Sequence, residues 1–476
     1  SYAAPADSFK LKFQYQPAGF DITVDWGDGN VEVITGYAAP ELTHVYAASG
    51  TYQISIASSV TIKGMTNAYV DAQKIMSIDN WGNIQWETCY SMFFGAFNMV
   101  GNYSDAPDLS LCTDLNQMFA YCTVFNGSMD GWDTSNVNIM TSTFWEAQAF
   151  NQPVPFDTSN VTTMVNMFKR AISFNQEINF DGSSLTDLTY MWISASAMNS
   201  DVTITNTTGV TSTLNMFSQM SSFNGHVTLD TTNVTTMQGM FGYCPAFNTT
   251  PTFIGGTGNV TNMQQMFYYT TQWNQPITFL DTSNVTNMYQ MFQGNYVFNQ
   301  SVSSLNTSNV TSTFAMFRDC WAFNQPVPFD MSSVTNMGLM FFSCHQFNQA
   351  INFNTANVTN MMMSFLNCSQ LISVTLSDTS NVTNMQSMFQ STGAFNDDIS
   401  SWDITSLTSA ANMFNGNTGF SQANYDLLLV AWDAFGTSSV PFHAGTAQYT
   451  APVSAPDTAR AAMISRGWTI TDGGPA

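Results

Sequence analysis

The side chains able to do chemistry in this chain of 476 residues are few, and their spacing limits what each can do. Hydrolysis of a polysaccharide requires two carboxylates held at a set separation across a cleft. The one tight acidic cluster is Asp397-Asp398 with Asp403, so a hydrolase reading rests on Asp398. The other recurrent acids, Asp157, Asp230, Asp281, Asp330 and Asp378, fall in the turn before a Val, where a carboxylate caps or turns the chain. Asp25 and Asp28 flank Gly27 and have the oxygen chemistry for calcium, but two carboxylates in so tight a turn are ordinarily turn formers. With 4 His and no paired Cys-x-x-Cys, nothing supports a zinc site. No Ser/His/Asp constellation or glycine-rich phosphate loop stands out. No catalytic, cofactor-binding or metal-ligating residue is therefore assigned, and no cofactor is expected.

The 7 cysteines, the asparagines and the threonines follow a register. Cys122, Cys244, Cys320, Cys344 and Cys368 each lie three residues after a recurring Phe, where other copies place Ala147, Ala171 or Ala195. Cys89 and Cys112 take a Met and a Val position of the same pattern, so all are expected as small buried residues. Cys320, Cys344 and Cys368 should stack on successive copies, close enough for a bridge to be conceivable. Asn299 and its equivalents follow a second Phe and should satisfy backbone groups at a turn. The Asn-x-Thr triplets at Asn160, Asn233, Asn259, Asn284, Asn309, Asn357 and Asn381 read as glycosylation sequons, or as a strand-edge ladder that the repeat generates by itself. Thr286 and its equivalents form a Thr array of the kind an ice-binding face would use, or plain solvent-facing strand residues.

The element that positions all of these is a repeat, shown best by Asp281 to Gln300, DTSNVTNMYQMFQGNYVFNQ. Aligned on Phe292, copies fall at Phe93, Phe119, Phe144, Phe168, Trp192, Phe217, Phe241, Phe267, Phe317, Phe341, Phe365, Phe389 and Phe414, a period of 24 to 26 residues. A period of this size signals a solenoid whose coils bury their apolar faces against one another. Val285 lies seven residues before the reference Phe, Met288 four before and Phe298 six after, and these spacings barely vary between copies. They predict a short strand at Asn-Val-Thr, a helical or 3₁₀ turn through Met-x-x-Met-Phe, and a return limb at the second Phe. The structural ladder is thus expected to comprise Val285, Met288, Phe292, Phe298 and Asn299, with Cys320, Cys344 and Cys368 inside it.

The pattern Asp-Thr-Ser-Asn-Val-Thr-Asn-Met-x-x-Met-Phe with a following Phe-Asn-Gln resembles the BspA-type leucine-rich-repeat surface proteins, also described as bacterial surface lipoprotein repeats. The resemblance covers about 330 residues. It implies a right-handed parallel β solenoid displayed outside a cell, without enzymatic activity, engaged in adhesion to host proteins, other cells or glycans. Trp132 and Trp402 carry the family's Trp before the strand, whereas middle copies have Phe156, Phe180 or Phe329. Copies at Leu185 and Val210 lack Asp-Thr-Ser-Asn, and such irregular coils are candidate contact places. Towards the N terminus, Val24-Asp25-Trp26-Gly27-Asp28-Gly29, His44-Val45-Tyr46 and Gly50-Thr51-Tyr52 resemble the polycystic kidney disease (PKD) type of immunoglobulin-like sandwich, in a shortened form.

The expected organisation is a PKD-like β segment over 1–60, a capping region over 61–90, the repeat over 91–420 and a C-terminal cap over 421–476. In that cap, NYDLLLVAWDAF and a segment from Pro456 to Ser465 read as helices. The fold class is mainly β: a leucine-rich-repeat-like solenoid of about 14 coils with a small sandwich-like N-terminal cap and a helical C-terminal one. A net charge of −23 argues against nucleic acid or anionic lipid as partner, and no apolar run is long enough to insert in a membrane. The chain begins at Ser1 rather than Met, so the lack of a leader says little about compartment. The expected role is a non-enzymatic extracellular, cell-surface or virion-surface recognition protein with a protein or glycan ligand. The alternative is a self-associating subunit of a phage or cell-surface appendage, with ice binding and polysaccharide hydrolysis as minor readings.

Overall fold

A coil of about 25 residues has too few apolar side chains to enclose its own core, so each coil must be closed by the next. The computed structural model, which describes residues 2–4, 8–66 and 71–476, shows this as a mainly β solenoid of about 16 turns with two helices. Positions 1, 5–7 and 67–70 of the expected N-terminal and capping segments lie outside the described residues. Two compact units are present, residues 1–234 with 251–255, and residues 235–250 with 256–476.

In the first unit, the N-terminal segment is antiparallel. Strand Ile22–Asp25 pairs with Val31–Ile34 and Ser55–Ala57, and Ser8–Lys10 pairs with Thr43–Val45. Its alternation buries Ile22, Val24 and Trp26 together with Leu42 and Tyr46. Parallel pairing starts earlier than the Phe register suggests, at Ile62 with Trp86 and at Ser77–Ile78 with Val100–Gly101. Later coils of this unit carry a parallel four-stranded sheet, Ile178–Asp181, Val202–Thr205, Val227–Asp230 and Thr252–Ile254. The coils lacking Asp-Thr-Ser-Asn thus bear the longest parallel strands. Val202, Ile204, Val227 and Leu229 alternate inward there, so β-branched and aliphatic residues supply what the signature supplies elsewhere.

In the second unit, one residue per coil bridges in parallel, through Thr236, Asn262, Asn287, Ser312, Asn336, Asn360, Asn384 and Ser409, and Asn352–Phe353 pairs in parallel with Thr375–Leu376. The ladder does not end at Phe420. Ala410 bridges Phe442, and Pro441–His443 pairs in parallel with Thr469–Thr471. The two C-terminal helices, Gln422–Ala434 and Ala455–Ser465, lengthen these coils and so hide them from a fixed period. Ser421 and Ser454 cap them through their hydroxyls, and Tyr425, Leu428, Leu429 and Trp432 fill the end of the core. Arg460 and the Tyr425 hydroxyl both donate to the Asp472 carboxylate, locking the last strand to both helices.

The segment through Met-x-x-Met-Phe is neither α nor 3₁₀. Its N–H groups alternate: Gln290, Phe292 and Gly294 donate to Phe314, Met316 and Arg318 on the next coil, whereas Met291, Gln293 and Asn295 donate three residues back to Met288, Gln290 and Phe292. This alternation needs left-handed backbone at two places in every copy, two residues before and two residues after the reference aromatic. All fourteen copies show it, from Ser91 at φ 51° and Gly95 at 78° to Asn412 at 58° and Gly416 at 74°. The expected helical turn is corrected accordingly: a helix would spend every N–H inside the coil and leave none for the neighbour.

Candidate functional site

Each fixed slot of Asp281 to Gln300 is consumed by stacking. Val285, Met288, Phe292 and Phe298 are fully buried. The Phe292 ring lies 5.7 Å from both Phe267 and Phe317, within 4° of parallel, and 4.8 Å from Phe298 in its own coil. The Asn299 N–H donates to Asn274 Oδ1 at 2.9 Å, and Asn299 Oδ1 accepts from the Asn324 N–H at 2.9 Å and the Gln325 amide at 3.1 Å. Cys320, Cys344 and Cys368 are buried free thiols whose Sγ–H groups donate to the carbonyls of Phe292, Phe317 and Phe341 at 3.0, 3.0 and 2.9 Å. Burial pushes all three thiols up, since a thiolate there would lose its solvation. The Cys89 and Cys112 thiols lie 3.8 Å apart.

The sequon asparagines act at the strand edge. Asn284 Nδ2 donates to the Gly258 carbonyl at 2.8 Å, and Asn309 and Asn357 repeat this contact on Ser283 and Ser332. Thr286 is exposed, but its hydroxyl donates to the Thr261 carbonyl at 3.3 Å, as Thr311 does to Thr286. A second Thr column went unread in the sequence. Thr282 and its equivalents, the Thr of Asp-Thr-Ser, are buried and bond the next coil, Thr282 to the Asn306 carbonyl at 2.9 Å. The recurrence of that Thr in most copies, with Gly182, Met331 and Ile404 among the departures, was the available signal.

The acids are turn formers. Asp281 accepts from the Ser283 N–H at 3.0 Å, and that bond holds its carboxyl below the usual range. Asp330 and Asp378 accept in the same way from the Ser332 and Ser380 N–H groups; the Ser332 hydroxyl and then its N–H lower Asp330, and the Ser380 N–H and then its hydroxyl lower Asp378. Asp397, Asp398 and Asp403 accept from the N–H groups of Val374, Ser400 and Thr405 rather than facing one another across a cleft. Asp25 accepts from Gly27 N–H, and Asp28 pairs with His44 at 2.8 Å, whose ring stacks on Trp26. Among the described residues, no cluster of His, Cys, Asp or Glu fits a metal ion, and no helix is long and apolar enough to cross a membrane.

A row of aromatic rings that the repeat does not consume gathers on one face of the second unit, two or four residues after the reference Phe, and a smaller row, Phe94, Tyr121 and Trp145, lies in the first unit. Tyr243, Tyr269, Tyr296, Trp321 and His345 come one from each of five successive coils, with Tyr268 beside Tyr269. Tyr243 is 49% and Trp321 46% exposed. Tyr268 meets Tyr243 at 5.0 Å and Tyr269 at 4.7 Å edge to face, and Tyr296 stacks on Trp321 at 4.1 Å. Tyr269 lies flat against Gly294, where an added Cβ would sit 2.7 Å from the ring. Beside them Arg318 lies over Phe342 at 4.9 Å, with its Nε 3.3 Å from Asp319. Desolvation raises the Asp319 carboxyl and the Tyr268 and Tyr296 hydroxyls. Sequence reasoning passed over these residues because they occupy slots without a consensus.

A comparison with solved structures finds a leucine-rich repeat protein from Bacteroides ovatus at 11% identity, covering 96% of this chain and 91% of that one, with a TM-score of 0.39. No curated protein matches. The family described as "Mycoplasma protein of unknown function, DUF285" matches four times over, at residues 61–155, 153–253, 256–352 and 327–428. Those matches run through most of the chain and follow the stacked coils described above, so this repeat solenoid belongs to the DUF285 family.

Proposed function

We propose that this is a non-enzymatic recognition protein that works outside a cell, on a cell or virion surface, by presenting a rigid solenoid face to a ligand. One observation carries the reading. The repeated slots are spent on the core and on coil-to-coil hydrogen bonds, while departures from the repeat set aromatic rings side by side at the surface, Tyr243 and Trp321 about half exposed with Tyr269 and Tyr296 between them. Clustered Tyr, Trp and Arg on a rigid surface offer large contact area at little entropic cost. The turn carboxylates, each occupied by a backbone N–H, offer no acid–base pair. The antiparallel N-terminal segment fits an accessory immunoglobulin-like module of the PKD type.

A second reading, a self-associating appendage subunit, draws on the exposed apolar side chains Leu427, Val430, Val453 and Ile464 near the C-terminal helices. Mass photometry of the full chain, with cell-surface binding of the labelled protein, separates the two. A monomer that binds surfaces and loses binding on Trp321→Ala fits recognition. Concentration-dependent polymers that Leu427→Glu dissolves would replace it with the subunit reading.

A further inference from the structure

Resting on the recognition reading above, we infer that the Tyr243–Trp321 face is a binding site for an uncharged glycan, and that Gln293, Arg318 and Asp319 supply its polar contacts. Gln293 is only 3% exposed, and its Oε1 has no hydrogen-bond partner. It occupies the position next to the reference Phe, as do Tyr268 on the coil before and Arg318 on the coil after, so it falls in one column of the stack with both. Arg318 Nε is ion-paired with Asp319 yet likewise lacks an aligned hydrogen bond. A buried amide oxygen without a donor costs roughly 1–3 kcal/mol, which a ligand hydroxyl reaching it would recover. A sugar hydroxyl both donates and accepts. It therefore suits a site with an open acceptor on Gln293, an open donor on Arg318 and a carboxylate on Asp319.

Charge and shape narrow the class. Arg318 and Asp319 neutralise each other across 3.3 Å, and the chain as a whole carries −23, so an acidic glycan would be repelled and a basic peptide would find no local countercharge. The rings are spread one per coil over successive coils, with Tyr243 to Tyr269 at 5.8 Å, Tyr269 to Tyr296 at 6.5 Å and Trp321 to His345 at 6.3 Å. An extended sugar chain presents apolar C–H surface and hydroxyls in alternation along a line, and so matches a row of rings with interspersed polar groups. A folded protein partner would call for a broad apolar centre with a polar rim instead.

Affinity electrophoresis of the full chain in gels containing laminarin, mannan, xyloglucan or polygalacturonate tests this. The expected result is retardation by at least one of the three neutral polymers and none by polygalacturonate. Trp321→Ala and Tyr296→Ala should each weaken retardation at least tenfold and Gln293→Leu several-fold, with Trp321→Phe largely retaining it and Phe97→Ala, on the other unit, unchanged. Unaltered melting temperatures would show that the variants fold, and Tyr296→Ala stands in if Trp321→Ala does not. Retardation by polygalacturonate alone overturns the uncharged class, and retardation undiminished in both aromatic variants overturns the site. If no polysaccharide retards the protein, the glycan inference falls. Cell-surface binding that is still lost on Trp321→Ala would then leave the broader recognition reading standing.

Discussion

Asn412 sits two residues before Phe414 at φ 58°, exposed, with no side-chain hydrogen bond in the structure, so substitution there changes backbone preference and little else. An L-residue pays about 1–2 kcal/mol in left-handed backbone; glycine pays none, and Asn pays less than most because its short amide tolerates the region. A β-branched residue fares worst, since its second γ-atom crowds the carbonyl. Asn412→Gly should therefore be neutral or stabilise by up to about 1 kcal/mol, Asn412→Ala should destabilise by about 1 kcal/mol and Asn412→Val by about 2 kcal/mol. Coils contact only their neighbours and need not unfold together, so a global midpoint would dilute the effect. Native-state hydrogen exchange at the Phe414 N–H, which bonds His443 of the adjoining coil at 2.9 Å, reads it locally. About 2 kcal/mol corresponds to roughly a thirtyfold faster exchange in the Val variant. Equal protection in the Gly and Val variants would refute the requirement for left-handed backbone, and with it the account of how each coil hands its N–H groups to the next.

Asn299→Ala should cost about 1–3 kcal/mol because it strands the Asn324 N–H and the Gln325 amide, whereas Asn299→Asp keeps an acceptor and should cost much less, as chemical denaturation will show. The thiols of Cys320, Cys344 and Cys368, raised by burial, should resist a thiol reagent in the folded protein and react on unfolding; rapid labelling under native conditions would contradict their burial. Asp281, Asp330 and Asp378 have folded pKa values below their unfolded ones, so their contribution is complete above the unfolded value near 4 and is lost as pH falls through the lower folded values. Melting temperature should accordingly stay level from neutral pH down to about 4 and decline below it, and a decline already complete by about pH 5 would point to other groups.

Phe292 and Asn299 were legible in the sequence for the same reason: both occupy slots where one chemical requirement recurs in every coil, and repetition makes a requirement visible. Spacing alone could not distinguish a helical turn from the alternating turn at Gln290 and Gly294, because both return Met288 and Phe292 to the same side. Composition at those two positions does distinguish them. Among the twenty-eight left-handed positions of the fourteen copies, none is Val, Ile or Thr, in a chain rich in Val and Thr. The coils formed with Phe442 and Ile470 escaped the count because the helices before them stretch the period. The cluster at Tyr296 and Trp321 was illegible for the opposite reason: the same slot holds Thr123, Gln148, Ile172, Ser196 or Gly393 in other copies, and a slot without a recurring residue leaves no period.

The N–H groups that Gln290, Phe292 and Gly294 pass to the next coil also decide how the molecule bears load. Bonds between coils run along the stacking direction, so pulling on a terminus loads one coil's set at a time rather than shearing a whole sheet. A protein tethered at one end and holding a ligand on its flank would yield by peeling. Each lost coil of about 25 residues would pay out roughly 80 Å of chain, while the coils beyond it kept their rings in place. A stack that lengthens in steps limits peak force, so under such a load it would act as a mechanical buffer.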